Sequence, residues 1–158
     1  MNPRNIFSLS ILVALGAFLS VDNAIAQLAR DVVGTWTIVS AGDAYSSTPK
    51  GSLILTENGH YSLQLLRPDL PKYASNNRTK GTPAEYKATV EGSLSYFGTY
   101  TVNGTDLILH VEGSTFPNWI GTDQKRVNLA VVGDELKYTN TAPSGGGAAA
   151  PLVWRRVK

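Results

Sequence analysis

Turn-forming pairs recur at short intervals along this chain, and they constrain its fold more than any other feature. Asn58-Gly59, Asn103-Gly104 and Gly133-Asp134 each separate two runs rich in β-branched, leucine or aromatic residues. Asn-Gly readily takes the positive φ angles of a two-residue hairpin, so such pairs predict adjacent antiparallel strands. The runs are Gly34–Ala41, Lys50–Thr56, His60–Arg67, Ser93–Val102, Asp106–Ser114, Arg126–Val132, Glu135–Asn140 and Pro151–Val157. Pro68 and Pro71 end the third run, because a proline has no amide to give to a sheet ladder.

One stretch breaks the pattern. The polar loop Ser75–Gly81 leads into Thr82-Pro83-Ala84-Glu85. Threonine as cap, proline at the first helical position and glutamate at the third form a capping box, which predicts a short helix from Pro83 to about Glu91. Thr141–Ala150 is low in complexity and reads as a flexible loop before the closing strand. The expectation is an all-β fold: an eight-stranded antiparallel up-and-down barrel with one short helix after strand 3. Closure removes the exposed edges that an open sheet must protect. The strand count leaves an open β-sandwich as the alternative.

At 158 residues, 42% of them hydrophobic and 16% charged, the chain has material for one globular core. Its net charge is +2, with no basic run beyond Arg155-Arg156, which argues against a nucleic-acid partner. Residues 1–26 read as a cleaved secretory signal: Arg4 is basic, Ile11–Val21 is apolar and Ala24-Ile25-Ala26 offers a small-residue cleavage site. The apolar stretch falls short of the ~20 residues that span a bilayer. An exported, periplasmic or secreted protein is expected, with the barrel domain at 27–158 and no membrane span after cleavage. No cysteine is present, so neither a disulfide framework nor a thiolate metal site exists.

Gly34-x-Trp36 on the first strand and Arg155-Arg156 on the last resemble the signature of the lipocalin and wider calycin group. KGSLI (50–54), GHYSLQLLRPD (59–69), SNNRTKGTP (75–83), YFGTY (96–100), the run from Leu109 to Arg126 and the terminal LVWRR extend the likeness. Together they resemble a bacterial family of lipocalin-like domain proteins across nearly the whole mature chain. The resemblance implies a barrel whose tryptophan closes one end beneath an arginine of the last strand. It implies no activity. The absence of disulfides and the helix after the third strand set the chain apart from animal lipocalins, whose ligand classes do not transfer.

Alternation along the strands nominates the residues of a site. Tyr61, Leu63 and Leu65 share a face with Arg67, and Leu94, Tyr96, Tyr100 and Val102 share another, with Gly98 leaving space between the tyrosines. If these faces are interior, Arg67, Tyr96 and Tyr100 are polar groups in or at the mouth of an apolar cavity. Arg67 reaching solvent and the tyrosines satisfying backbone groups is the alternative. His110 and Glu112 point to one side of their strand and would make an acid/base or orienting pair. The leucines opposite them argue that this side is outside. Phe116, Trp119 and Ile120 are apolar for a loop, and form either a lid over the barrel mouth or a plug in it. Asn77 and Arg78 mark a second rim, and Arg126 begins the strand after the aromatic loop. Asn77-Arg78-Thr79 and Asn103-Gly104-Thr105 are glycosylation sequons.

With two histidines and no cysteine, no metal site is expected, and no cofactor motif is present. Three functions are compatible with the residues. One is binding of a small apolar or amphipathic molecule with a polar or anionic group that Arg67 or Arg78 could meet. Another is a barrel enzyme of isomerase or cyclase type. The third is a protein-interaction module with a filled barrel.

Overall fold

The computed structural model describes residues 23–42 and 45–158. Residues 1–22, which hold most of the expected leader, lie outside the described residues. The eight strands are β1 (Gly34–Ser40), β2 (Lys50–Leu55), β3 (His60–Leu66), β4 (Ser93–Asn103), β5 (Asp106–Ser114), β6 (Asp123–Val132), β7 (Glu135–Asn140) and β8 (Ala150–Arg156). Each pairs antiparallel with the next, and β1 pairs with β8, so the barrel is closed in up-and-down order. The open-sandwich alternative is thereby removed.

The expected boundaries hold closely, with one extension. β6 starts at Asp123, three residues before Arg126, because Asp123, Gln124 and Lys125 face His110, Leu109 and Ile108 in the ladder. Polar residues with weak strand propensity here follow a neighbour's register rather than their own preference.

Among the described residues two α-helices flank the barrel: α1, which occupies residues 23–31 of the described chain, and α2, Pro83–Gly92. α2 opens with the expected capping box. Glu85 N donates to Thr82 Oγ1 at 3.3 Å, and Thr82 N donates to the Glu85 carboxylate at 2.6 Å. Ala74 N donates to the other carboxylate oxygen, at 2.8 Å, so one side chain ties the polar loop to the helix start. These backbone donors hold the Glu85 carboxyl below the usual carboxylate range.

The two ends of the barrel differ. At one, tight hairpins join β2 to β3, β4 to β5 and β6 to β7, and α1 leads in. There the Arg156 guanidinium lies 4.0 Å above the Trp36 ring. It also donates to Val33 O at 2.8 Å and Asp31 O at 2.6 Å, capping the end of α1. Trp36 Nε1 donates to Val32 O at 2.9 Å. Gly34 makes the contact possible: a Cβ there would stand 2.6 Å from Arg156 Nη1, at a φ of +144°. Of the two terminal arginines, Arg156 closes the barrel, whereas Arg155 points to solvent.

The half of the barrel above this plug is solid. Trp154, Leu53, Leu55, Leu63, Leu107, Leu109 and Leu136 are fully buried inside it. The longer connections gather at the other end: the β1–β2 connection, of which 41–42 and 45–49 are described, the segment holding α2, a loop with a 3₁₀ turn at Pro117–Trp119, and 141–149.

Three irregularities aim the interior side chains. In β6 the register jumps between Val127 and Ala130 against β7, with Asn128 at φ +58°. The buried set accordingly passes from Gln124 and Arg126 to Leu129, a change of parity that a regular strand cannot make. In β5 a shift opposite Phe97 and Gly98 makes Glu112 the extra residue. β1 shifts between Ile38 and Ser40.

Candidate functional site

At the open end a cavity of about 700 Å³ enters the barrel. That is in the range of pockets for small molecules, roughly 300–1,000 Å³. Leu65, Leu94, Tyr96, Trp119 and Arg126 line its inner part, and Tyr45, Phe116 and Val90 of α2 stand nearer the mouth. The segment from Pro143 to Ala150 forms one wall of the mouth. Low complexity suits this role, because glycine and alanine keep the backbone close to the opening without filling it.

The wall is chiefly aromatic. Trp119 is turned inward by the 3₁₀ turn and is 8% exposed. Its ring meets Tyr96 edge-on at 5.3 Å and Phe116 at 5.7 Å. Tyr96 in turn meets Tyr61 at 5.8 Å. The loop is therefore neither a detached lid nor a complete plug: Trp119 and Phe116 are wall, while Ile120 stays outside, 49% exposed.

Among the described residues, Arg126 is the only charged side chain in the buried core. Its Nη2 donates to the Tyr96 hydroxyl at 3.3 Å and its Nη1 to Lys125 O at 3.1 Å, and its guanidinium carbon lies 5.6 Å from the Trp119 ring centre. Burial opposes its charge, but the surrounding tyrosine oxygens, Tyr96 first, outweigh burial and move its pKa up. A guanidinium stays protonated in proteins in any case. The Tyr61 and Tyr138 hydroxyls are buried without a hydrogen-bond partner among the described residues. Trp154 Nε1 lies close enough to act on Tyr138 but not in bonding geometry.

The other nominated residues lie elsewhere. Arg67 sits just past β3, where the strand has ended, and its guanidinium forms a two-pronged pair with Asp69 at 2.9 and 3.0 Å in solvent. Asn77 folds its side chain onto its own loop, accepting from Thr79 N at 2.9 Å, and Arg78 is exposed. Tyr100 donates to Thr56 O at 2.9 Å, towards the closed end. His110 and Glu112 are on the outer surface and do not pair. The imidazole meets Asp123, its direct cross-strand partner, at 2.9 Å, and the bulge displaces Glu112 from the regular alternation. Of the nominated residues, Tyr96, Trp119 and Arg126 thus come together at the cavity. Leu65 and Leu94, already placed on interior faces, join them. Tyr45 and the 143–150 wall carried no sequence signal, whereas Tyr138 could have been found from its alternation with Leu136.

Burial gives an alkaline signature. Desolvation, with Tyr96 adding to it, pushes the Tyr45 phenol up to about 12, and burial raises Tyr61, Tyr100 and Tyr138 as well. A phenol whose folded pKa lies above its unfolded value stabilises the fold fully below pH ~10, and that contribution disappears as pH rises through the folded value. Phenolate absorbance during an alkaline titration should therefore rise in two stages, the later one coinciding with loss of far-ultraviolet dichroism. Smooth ionisation of all seven tyrosines with the fold intact would contradict this burial.

A closed barrel, solid at one end and hollow at the other, is the architecture of a small-molecule-binding β-barrel. The model of the lipocalin-like domain matches residues 33–157, and the chain belongs to that family. A 4'-hydroxy-3'-methoxypropiophenone carrier protein of Aspergillus oryzae is 35% identical over 107 residues, covering 61% of this chain and 96% of the relative. Among the described residues no helix is long and apolar enough to cross a membrane, and no cluster of three potential ligands is placed to hold a metal ion.

Proposed function

We propose that this protein is an exported carrier that holds one small, mostly apolar aromatic molecule in the open half of its barrel. The carrying observation is the cavity of about 700 Å³ walled by Trp119, Tyr96 and Phe116 above a packed lower half. The relative named as a carrier of an aromatic ketone supports the same ligand class. Export rests on the leader-like first 26 residues, Arg4 and the apolar Ile11–Val21 among them. Carriage is favoured over catalysis because the Tyr45 phenol at the cavity, pushed up to about 12, is poorly matched to proton transfer near neutrality, and the carboxylate in the lining, Glu91, is solvent-exposed and faces Lys87 at 3.8 Å. A filled interaction module fits less well, since the upper interior is open.

The test is a titration of the purified protein with 4'-hydroxy-3'-methoxypropiophenone, following tryptophan emission. Saturation at one site with quenching is expected, since Trp119 alone of the three tryptophans lines the cavity. Trp119→Phe should remove most of the quenching, and Leu94→Trp, which fills the cavity, should weaken binding at least about tenfold, equivalent to ~1.4 kcal/mol. Absence of saturable binding by folded protein would refute the proposal.

A further inference from the structure

Arg126 is an energetic anomaly, the one charged residue fully buried among the described residues. A buried cation costs several kcal/mol unless it is paired, and no carboxylate among the described residues pairs with it. Its two acceptors, a backbone carbonyl and the Tyr96 hydroxyl, are neutral, and they engage only two of the five N–H groups a guanidinium carries. Two further hydroxyls, those of Tyr61 and Tyr138, are buried without partners and lie within its electrostatic reach. Buried polar groups are almost always satisfied, so a cation with spare donors and two idle hydroxyls near it mark a place where something else supplies the acceptor. Arg126 and Tyr96 also form part of the cavity wall, beside Trp119.

We propose that the cavity takes its ligand as an aromatic oxyanion, a phenolate whose oxygen rests against the Arg126 guanidinium while its ring packs on Trp119 and Tyr96. This rests on the carrier reading above and specifies the charge state of what is carried. On entry of a neutral phenol the O–H bond breaks, the oxygen keeps the electron pair and the proton leaves to solvent. A phenol with an acyl group opposite its hydroxyl is suited to this, because conjugation with the carbonyl already spreads the phenolate charge. A fixed opposite charge at contact distance lowers an acid's pKa by about one to three units, while burial works the other way and prevails at Tyr61 and Tyr138, whose hydroxyls make no hydrogen bond to the guanidinium; direct contact with Arg126 is what the ligand oxygen adds.

The experiment uses 4'-hydroxy-3'-methoxypropiophenone and its O-methyl ether as probes, at a pH where the free phenol is neutral. The bound phenol should show the long-wavelength phenolate band, and calorimetry in buffers of different ionisation enthalpy should count close to one proton released per site. The phenol should bind at least about tenfold more tightly than the ether. In Arg126→Met the band should vanish and that preference collapse towards parity. This variant is expected to fold, since removing an unpaired buried cation does not orphan a counter-ion. Should it fail to fold, the wild-type spectrum and proton count decide alone. Equal binding of both probes with a neutral spectrum would overturn the oxyanion while leaving the carrier intact. Binding of neither would overturn both. Tighter binding of 4-hydroxy-3-methoxybenzoate with its phenol un-ionised would assign Arg126 to carboxylates and also overturn the phenolate.

Discussion

Trp36→Ala should cost about 3–5 kcal/mol in denaturant unfolding, the usual range for truncating a fully buried large aromatic. For a chain of this size that lowers the thermal midpoint by roughly 10 °C or more. Trp36 is wholly buried, donates its indole N–H to Val32 O and carries the Arg156 guanidinium on its face. Removing it opens a hole at the closed end and leaves Arg156 without its platform. Arg156→Met should cost less, about 2 kcal/mol, because it removes a cation–π contact and two charge-assisted bonds without emptying the core. The two losses should not add: a double-mutant cycle is expected to show coupling of about 1 kcal/mol or more between contacting groups. Additive effects, or a loss below about 1 kcal/mol for Trp36→Ala, would mean that the plug does not hold the closed end together. Ligand affinity measured under native conditions should change little in Arg156→Met, because this end is remote from the cavity.

Gly98→Ala is the second large effect expected, of about 3 kcal/mol from a single methyl group. A Cβ at this position would stand 2.0 Å from the carbonyl oxygen of His110 and 2.9 Å from Glu112 N. Both are backbone atoms of the neighbouring strand, so no rotamer change relieves the clash, and overpacking reaches the upper end of its range. Relief requires β4 and β5 to part at the bulge, two residues from Tyr96. The variant should therefore also bind aromatic ligand several-fold more weakly. Gly145→Ala, where a Cβ meets nothing within 4 Å, is the control and should unfold like wild type. Equal midpoints for the two variants would show that β4 and β5 do not approach as closely as the bulge requires.

The barrel was legible because its signals are local. Asn58-Gly59 and Asn103-Gly104 form the hairpins they announce, and Thr82, Pro83 and Glu85 start α2 by bonds reaching only three residues. Interior faces read from period two are right for Tyr61, Leu63 and Leu65 and for Leu94 and Tyr96. The resemblance carried by Gly34, Trp36 and the terminal arginines led to the right family and the right closure, though only Arg156 performs it. The site was less legible. Arg67 follows the parity of its strand on paper, but the strand ends at Leu66 and a nearby aspartate draws the guanidinium outward. His110 has two carboxylates in reach by sequence or by ladder, and cross-strand register with Asp123 prevails over spacing to Glu112.

What the sequence determined by itself is the set of strands, their order, the turn that joins each close pair and the helix start, since each depends on the φ/ψ preferences and hydrogen bonds of residues adjacent in the chain. What only the tertiary structure decided is which side chains face the cavity. Bulges in β1, β5 and β6 shift the inward parity, and a bulge is fixed by how a strand must bend to close against its neighbours. Arg126 and Leu129, three apart, share the interior for that reason, and the cation in the binding cavity is a product of closure.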